Sequence, residues 1–326
     1  MKYEFTMPSL GAEMDEGKLM QWKIHPGDTV TKGQVVAQVE TTKAVVDIES
    51  FRSGKVLELL AKEGEVVAVN HPLAIFEIDE DQEIVTGGIK MDSPAKEAEK
   101  NTPEFQGVNL REAIGKAMAR SKKEIPHYYL KRRVSLDLLM SWLDKKNALL
   151  SAEDRLLIPA VLQRAICLAL AKYPEMNGHY RDGKYVPSSD VNMGTAIALK
   201  DGAVMVPAIM QSQKMSHSEF NRAYQDLVVR TRQGSLKNSE LIEGTVTVTN
   251  IGDLGSDEVY GIIFPPQVAI IGFGRIRKEA IVADEQTRPG FVIDLTLSAD
   301  HRVSDGLLGA RFLNEIDKKV NDPESL

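Results

Sequence analysis

Two periodicities divide the chain. Residues 17–77 carry short apolar runs with β-like alternation, broken by glycine turns. Within them, residues 17–40 (GKLMQWKIHPGDTVTKGQVVAQVE) and 54–77 (GKVLELLAKEGEVVAVNHPLAIFE) align without gaps at a shift of 37. Gly17 meets Gly54, Lys18 meets Lys55, Gly27 meets Gly64, Asp28 meets Glu65, Val30 meets Val67, Ala37 meets Ala74 and Glu40 meets Glu77. Neither half can bury its apolar face alone. The repeat therefore predicts one all-β domain over residues 1–78, a flattened barrel or sandwich with an internal pseudo-twofold.

From Asn109 onward the pattern becomes α/β. NLREAIGKAMARSKK opens on a candidate N-cap and sets Leu110, Ile114 and Met118 on one helical face. Apolar-faced helices are predicted near 136–148, 157–172 and 215–232. Strands are predicted at 126–134 and near 191–199, 203–210, 244–250, 267–273, 278–284 and 291–299. FVIDLTLSA alternates strictly, with Phe291, Ile293, Leu295 and Leu297 on one face and Asp294, Thr296 and Ser298 on the other. DHRVSDGLLGARFLNEI then runs from a loop into a closing amphipathic helix. Between the two regions, residues 79–104 hold eight acidic residues, three lysines, two prolines and two adjacent glycines, with no sustained apolar period. That composition predicts a flexible acidic linker over 79–106 and places the α/β domain at 107–326.

Composition narrows the class. At 326 residues, 43% hydrophobic and 27% charged, the chain reads as a globular protein of two or three domains. A net charge of -7 argues against a nucleic-acid or anionic-membrane surface. The one cysteine, Cys167, lies in the apolar run AICLALA and reads as core, so no intrachain disulfide is expected. MKYEFTMPSL lacks a signal-peptide pattern, and no uninterrupted 18-residue apolar run occurs. The expectation is a soluble, cytoplasmic protein.

Three stretches carry candidate chemistry. VETTKAVVDIES places a lone amine, Lys43, just past the first half-repeat, where ETTK between β-like runs predicts a hairpin. SADHRVSDG follows a strand end. There His301 is a candidate general base near neutral pH, and Asp305 can orient the loop or anchor a positive partner. In TVTVTNIGDLG, Thr249 can donate its hydroxyl to a developing oxyanion. GFGRI at 272–276 is a lone GxG among β-like residues and predicts no dinucleotide site.

The stretch MPSLGAEMDEGKLMQWKIHPGDTVTKGQVVAQVETTKAVVDIES closely resembles a lipoyl domain of the 2-oxo acid dehydrogenase complexes. The resemblance implies lipoate amidated to Lys43, with Thr42 in place of the family's usual Asp. Thr42 and Ala44, rather than flanking methionines, favour lipoate over biotin. Asn70 stands where glycine is common. Residues 107–326 resemble the catalytic domain of dihydrolipoamide acyltransferases, whose fold is shared with chloramphenicol acetyltransferase. The matching stretches are REAIGKAMARSKKEIPHYYL, YPEMNG, DGAVMVPAI, TVTVTNIGDLG, FPPQVAIIGFG and LSADHRVSDG. Phe264 departs from the family's usual Asn before the two prolines.

The resemblance also implies roles. His301 takes the proton from the coenzyme A thiol. Asp305 holds the geometry, with Arg111 as its ionic partner, and Thr249 stabilises the tetrahedral centre. The implied activity is acyl transfer from lipoyl-Lys43 to coenzyme A, acetyl in a pyruvate dehydrogenase complex, with acetoin, branched-chain and 2-oxoglutarate complexes as alternatives. The implied partners are a thiamine diphosphate-dependent 2-oxo acid dehydrogenase component and dihydrolipoamide dehydrogenase, around a homotrimer or larger core. The family's small partner-binding module, with its GTGxxGRI-like stretch, has no counterpart here. A non-catalytic structural subunit is the reading from another class, and the presence of His301 and Asp305 argues against it.

Overall fold

A computed structural model of the chain describes residues 2–8, 14, 16–41, 45–78, 110–199, 204–283 and 286–326. Two compact units emerge: Met1–Gly115 with Gln233–Ile242, and Lys116–Arg232 with Glu243–Leu326. The linker reading at 79–106 falls outside the described residues.

The first unit holds β1 (Lys2–Thr6), β2 (Glu16–Trp22), β3 (Thr29–Val30), β4 (Val35–Glu40), β5 (Val45–Glu49), β6 (Gly54–Leu59), β7 (Val66–Ala68) and β8 (Pro72–Glu77). One sheet runs β1-β8-β6-β3 and the other β5-β4-β2-β7, the latter extended at β5 by Leu236–Lys237 in parallel register. The shift of 37 carries β2 onto β6, β3 onto β7 and β4 onto β8. Backbone bonds repeat with it: the Gly27 amide donates to the Val56 carbonyl, and the Gly64 amide donates to the Leu19 carbonyl. Phe5, Leu19, Val36, Val39, Ile48, Val56, Leu73 and Phe76 are fully buried in the shared core. The Phe5 and Phe76 rings stack at 5.2 Å. Each half thus supplies the apolar cover that the other lacks.

The turns repeat as well. Gly33 has φ +83° and its counterpart Asn70 has φ +69°. Asn is the side chain that best tolerates this left-handed region, so the glycine-to-asparagine departure leaves the turn intact.

The second unit is built on a mixed sheet. Beyond the first eight strands the chain forms α1 (Leu110–Glu124), β9 (His127–Ser135), α2 (Asp137–Asn147), α3 (Ile158–Leu170), β10 (Gly178–Arg181), β11 (Lys184–Pro187), β12 (Met193–Thr195), β13 (Ile197–Ala198), β14 (Val204–Met205), β15 (Ala208–Ile209), α4 (His217–Gln233), β16 (Leu236–Lys237), α5 (Asn238–Ile242), β17 (Val246–Asn250), β18 (Ala269–Phe273), β19 (Arg277–Ala283), β20 (Gln286–Asp300) and α6 (Gly306–Val320), of which β16 and α5 fall in the first unit. The main sheet runs β15-β12-β17-β18-β20-β19, and β9 also pairs with β20. β20 is its organiser. Its first half pairs with β19, its second half with β9, and its other edge with β18.

Both faces of β20 are buried from Ile293 to Asp300. The strict alternation therefore separates an apolar face from a polar buried face, not from solvent. α6 packs on α3, β9 and β20. On the polar face, the Asp294 carboxylate accepts from Arg277 Nη2 at 2.6 Å and Arg133 Nε at 3.2 Å. Burial alone would push the Asp294 carboxyl up; these two guanidinium bonds outweigh it, and the net shift is down.

Two predicted strands break. The run near 191–199 splits into β12 and β13, and the run near 203–210 into β14 and β15. Pro207 cannot donate to a ladder, and its carbonyl instead accepts from the Thr195 amide. The hairpin β10–β11 was not predicted. Its turn is Asp182-Gly183, with φ +51° and +73°, the dipeptide that a two-residue hairpin favours.

Three histidines are half-buried in this unit. His127 Nδ1 donates to the Ile125 carbonyl at 2.9 Å, and the Ile263 amide donates to its Nε2 at 3.1 Å. That pair of bonds requires the neutral ring. His179 donates from Nε2 to the Gly244 carbonyl at 3.0 Å. Burial pushes His127, His179 and His217 all below the usual histidine value.

Two expectations follow. The unfolded chain protonates these rings near the ordinary histidine pKa of about 6.5, while the folded chain resists protonation to lower pH. Stability is then intact above that value and falls as pH drops below it. Melting temperature should be lower at pH 5.5 than at 7.5, and His127→Gln should reduce the difference; an unchanged difference would contradict the assignment. In the first unit, Asn70→Ala should cost about 1 kcal/mol through the left-handed backbone while Asn70→Gly should not. Urea unfolding followed by Trp22 fluorescence, with the other tryptophan replaced, separates the two.

Candidate active site

The end of β20 sets the site. Asp300, the last residue of the strand, has a fully buried side chain. Its carboxylate accepts from the Arg302 backbone amide at 2.9 Å, from Arg302 Nε at 2.9 Å and from Arg302 Nη2 at 2.7 Å. This bidentate grip raises the Arg302 pKa further above its usual range. The Arg302 guanidinium lies 3.8 Å from the centroid of the Tyr180 ring, so the β10–β11 hairpin backs it. The Val303 and Ser304 amides both donate to the Asp300 carbonyl. The chain turns back on itself here, and His301 sits at the apex of the turn.

The His301 backbone amide is fixed by the Pro126 carbonyl at 3.0 Å. Its imidazole is exposed. Among the described residues, the ring makes no hydrogen bond. Its one neighbour of note is Tyr128, whose ring meets it edge-on at 5.3 Å and 71°. A ring so placed is held in orientation while its nitrogens stay available to a ligand.

Asp305 is exposed and serves as the N-cap of α6, its Oδ1 accepting from the Leu308 amide at 2.9 Å. The bond fixes where the helix starts and hence where the turn ends. The Arg111 side chain is outside the described residues, as is Lys43. The strands flanking the Lys43 segment do pair as a hairpin, with Glu40 opposite Val45.

Thr249 lies elsewhere on the sheet. It is opposite Gly272 of β18, and Gly272 is opposite Thr296 of β20. His301 comes five residues after Thr296, so about 17 Å along the strands and two strand spacings separate it from Thr249. One chain brings His301 and Asp305 together and leaves Thr249 apart. The Thr249 hydroxyl has no hydrogen-bond partner among the described residues. The adjoining turn is set by Asn250 Oδ1, which accepts from the Gly252 amide at 2.9 Å.

Sequence reasoning missed Asp300, Arg302, Tyr128 and Ser304. Asp300 and Arg302 flank His301 directly, so their spacing was a usable signal. Tyr128 and Ser304 are far apart in sequence, and only the fold joins them. Among the described residues, no helix is long and apolar enough to cross a membrane, and no group of His, Cys, Asp or Glu could hold a metal ion.

Comparison with known proteins agrees with this geometry. A family model described as 2-oxoacid dehydrogenases acyltransferase (catalytic domain) matches residues 99–326, and one described as biotin-requiring enzyme matches residues 3–76. The dihydrolipoyllysine-residue acetyltransferase component of the pyruvate dehydrogenase complex from Rickettsia felis is 25% identical over 414 residues, covering 99% of each chain. Its Staphylococcus aureus counterpart is 26% identical over 428 residues, covering 100% of this chain and 99% of its own. Among solved structures, a probable dihydrolipoamide acetyltransferase from Listeria monocytogenes matches with TM-score 0.63 at 30% identity, over 69% of this chain and 95% of that one. The truncated catalytic core of the 2-oxoacid dehydrogenase multienzyme complex from Thermoplasma acidophilum matches with TM-score 0.59 at 28% identity, over 69% of this chain and 99% of that one. With its lipoyl-type domain ahead of a strand-end histidine turn, the chain belongs to the acyltransferase family of the 2-oxoacid dehydrogenases.

Proposed function

We propose that the protein moves an acyl group, acetyl as its main substrate, between lipoate on Lys43 and coenzyme A within a pyruvate dehydrogenase complex. The observation that carries this reading is the His301 imidazole, exposed and free of hydrogen bonds among the described residues, on a turn whose backbone is tied down at both ends. The acetyl assignment rests on the relatives' names. The alternative acyl groups remain outcomes of the first test below.

Lipoate fits the first unit. β4 and β5 form a rigid antiparallel pair on a fully buried core, and the segment joining them carries Lys43. When bound there, lipoate supplies the sulfur that carries the acyl group. The second unit supplies the rest. A ring nitrogen of His301 takes the proton from the coenzyme A thiol, which is a weak nucleophile until deprotonated. The new carbon–sulfur bond forms, the old one breaks, and the same proton goes to the departing sulfur. The Thr249 hydroxyl donates to the carbonyl oxygen while it bears charge. Asp305 fixes the turn through its cap, with Arg111 as a further ionic partner.

The separation of Thr249 from His301 supports an assembled site. A hydroxyl about 17 Å along the sheet cannot meet the same carbonyl in one chain. In a homotrimer, Thr249 of one protomer faces His301 of the next across a shared channel, and trimers can build a larger core. The partners are the thiamine diphosphate-dependent component that loads the lipoyl group and the dihydrolipoamide dehydrogenase that reoxidises it. The cytoplasm is the compartment that fits the single buried thiol.

Five measurements test these assignments. With a panel of acyl-CoA donors and free dihydrolipoamide as acceptor, S-acetyldihydrolipoamide should form fastest; another acyl group winning would reassign the complex. Intact mass from lipoate-supplied cells should show one lipoyl adduct, lost in Lys43→Ala. His301→Ala should lower turnover by roughly 100- to 10,000-fold with the protein folded, and Thr249→Ala by less. Asp305→Ala should lower stability by about 1 kcal/mol, the cost of a helix cap and not of a stranded buried charge. Sedimentation should show a trimer or larger, and a fully active monomer would rule out the shared channel.

A further inference from the structure

Tyr128 is bound to the His301 turn by more than its ring. Its hydroxyl lies 2.8 Å from Ser304 Oγ, on the far side of the turn from His301. Ser304 is buried, and its Oγ also approaches the Asp300 carbonyl at 3.5 Å. Either hydroxyl can donate across this pair. Burial pushes the Tyr128 phenol up, so its proton stays on the phenol oxygen.

The Tyr128 ring has little room to leave. On its α6 side it lies against Gly309. A Cβ at that position would come within 2.9 Å of the Tyr128 hydroxyl, 3.0 Å of Cε2 and 2.8 Å of Leu130 Cδ1. Below, the backbone of Tyr128 is paired with Ala299, and that of His127 with Asp300. One side chain on β9 therefore touches both arms of the catalytic turn and the first turns of the closing helix.

We propose that Tyr128 and Ser304 form a latch that positions the His301 imidazole, with Tyr128 as a positioning residue for the acyl transfer. The proposal rests on the reading of His301 as the base. A phenylalanine at 128 would fill the same space and present the same ring edge. The hydroxyl adds the tie to Ser304, which stops the ring and the turn from sliding past each other. Loss of the tie lets the imidazole sample more orientations, and only a fraction of these face the thiol. The loss therefore falls on turnover, not on binding.

The test uses the full lipoylated chain, with acetyl-CoA and free dihydrolipoamide as substrates. Tyr128→Phe and Ser304→Ala should each lower kcat by about 3- to 10-fold, the value of one neutral hydrogen bond. KM for acetyl-CoA and the melting temperature should change little. The double variant should be no slower than the slower single variant, because both break the same bond. Ser304→Thr, which keeps a hydroxyl, should recover most of the lost turnover. In a His301→Ala background, Tyr128→Phe should have no further effect. Unchanged kcat in both single variants, or losses that multiply in the double variant, would overturn the latch. If His301→Ala itself keeps near-normal turnover, the base assignment fails instead, so the two failures are told apart.

Discussion

A carboxylate without solvent contact stands at the end of β20, and the His301 turn is arranged around it. Burying the Asp300 charge is tolerable only if every lone pair is met. Arg302 meets them two residues later, with its backbone amide and two guanidinium nitrogens on one carboxylate. A residue reaching back two positions this way must fold the chain into a tight turn. His301 is the residue between them, so it is driven to the outside of that turn. Pairing of this kind costs about 3–5 kcal/mol when one partner is lost, which is large against the stability of a typical domain. The turn is thus held by a penalty much greater than any single contact made by His301 itself.

The same logic runs along the rest of β20. Its polar side chains face inward, and each described partner is another element of the second unit: Asp294 holds β9 and β19 through Arg133 and Arg277, and the Thr296 hydroxyl donates to the Val259 carbonyl. A strand with an apolar second face would slide in register at little cost. Charged pairs at fixed positions do not permit this, because a one-residue slip would send Asp294 into the apolar face. Register precision at Asp294 is carried six residues on to Asp300, and from there into the turn.

Much of the fold was legible because the physics is local or repetitive. The shift of 37 was visible as sequence and reappears as strand, turn and hydrogen bond, down to Asn70 taking the backbone shape of Gly33. The helices were legible from their apolar faces. Where Pro207 interrupts a β-like run, periodicity alone gave one strand in place of two. The Asp182-Gly183 hairpin turn was present in the sequence but lay outside any long apolar run. In the site, His301 and Asp305 stood out by chemistry and spacing. Asp305 was read as a charge awaiting a partner, and its described bond is that of a helix cap. Tyr128 and Ser304 were invisible, because their relation arises only when β9 pairs with β20.

The placement of Thr249 bears on why the molecule is divided as it is. Its hydroxyl sits beside a glycine turn at the opposite end of the sheet from His301, and both groups are left without hydrogen bonds among the described residues. Polar groups near a fold's surface usually find local partners. Two candidate catalytic groups left open at opposite ends of one rigid sheet suit a reaction centre that a single copy does not complete. Rigidity then becomes an advantage: a sheet locked by Asp294 and Asp300 can present both ends to neighbouring copies without relaxing.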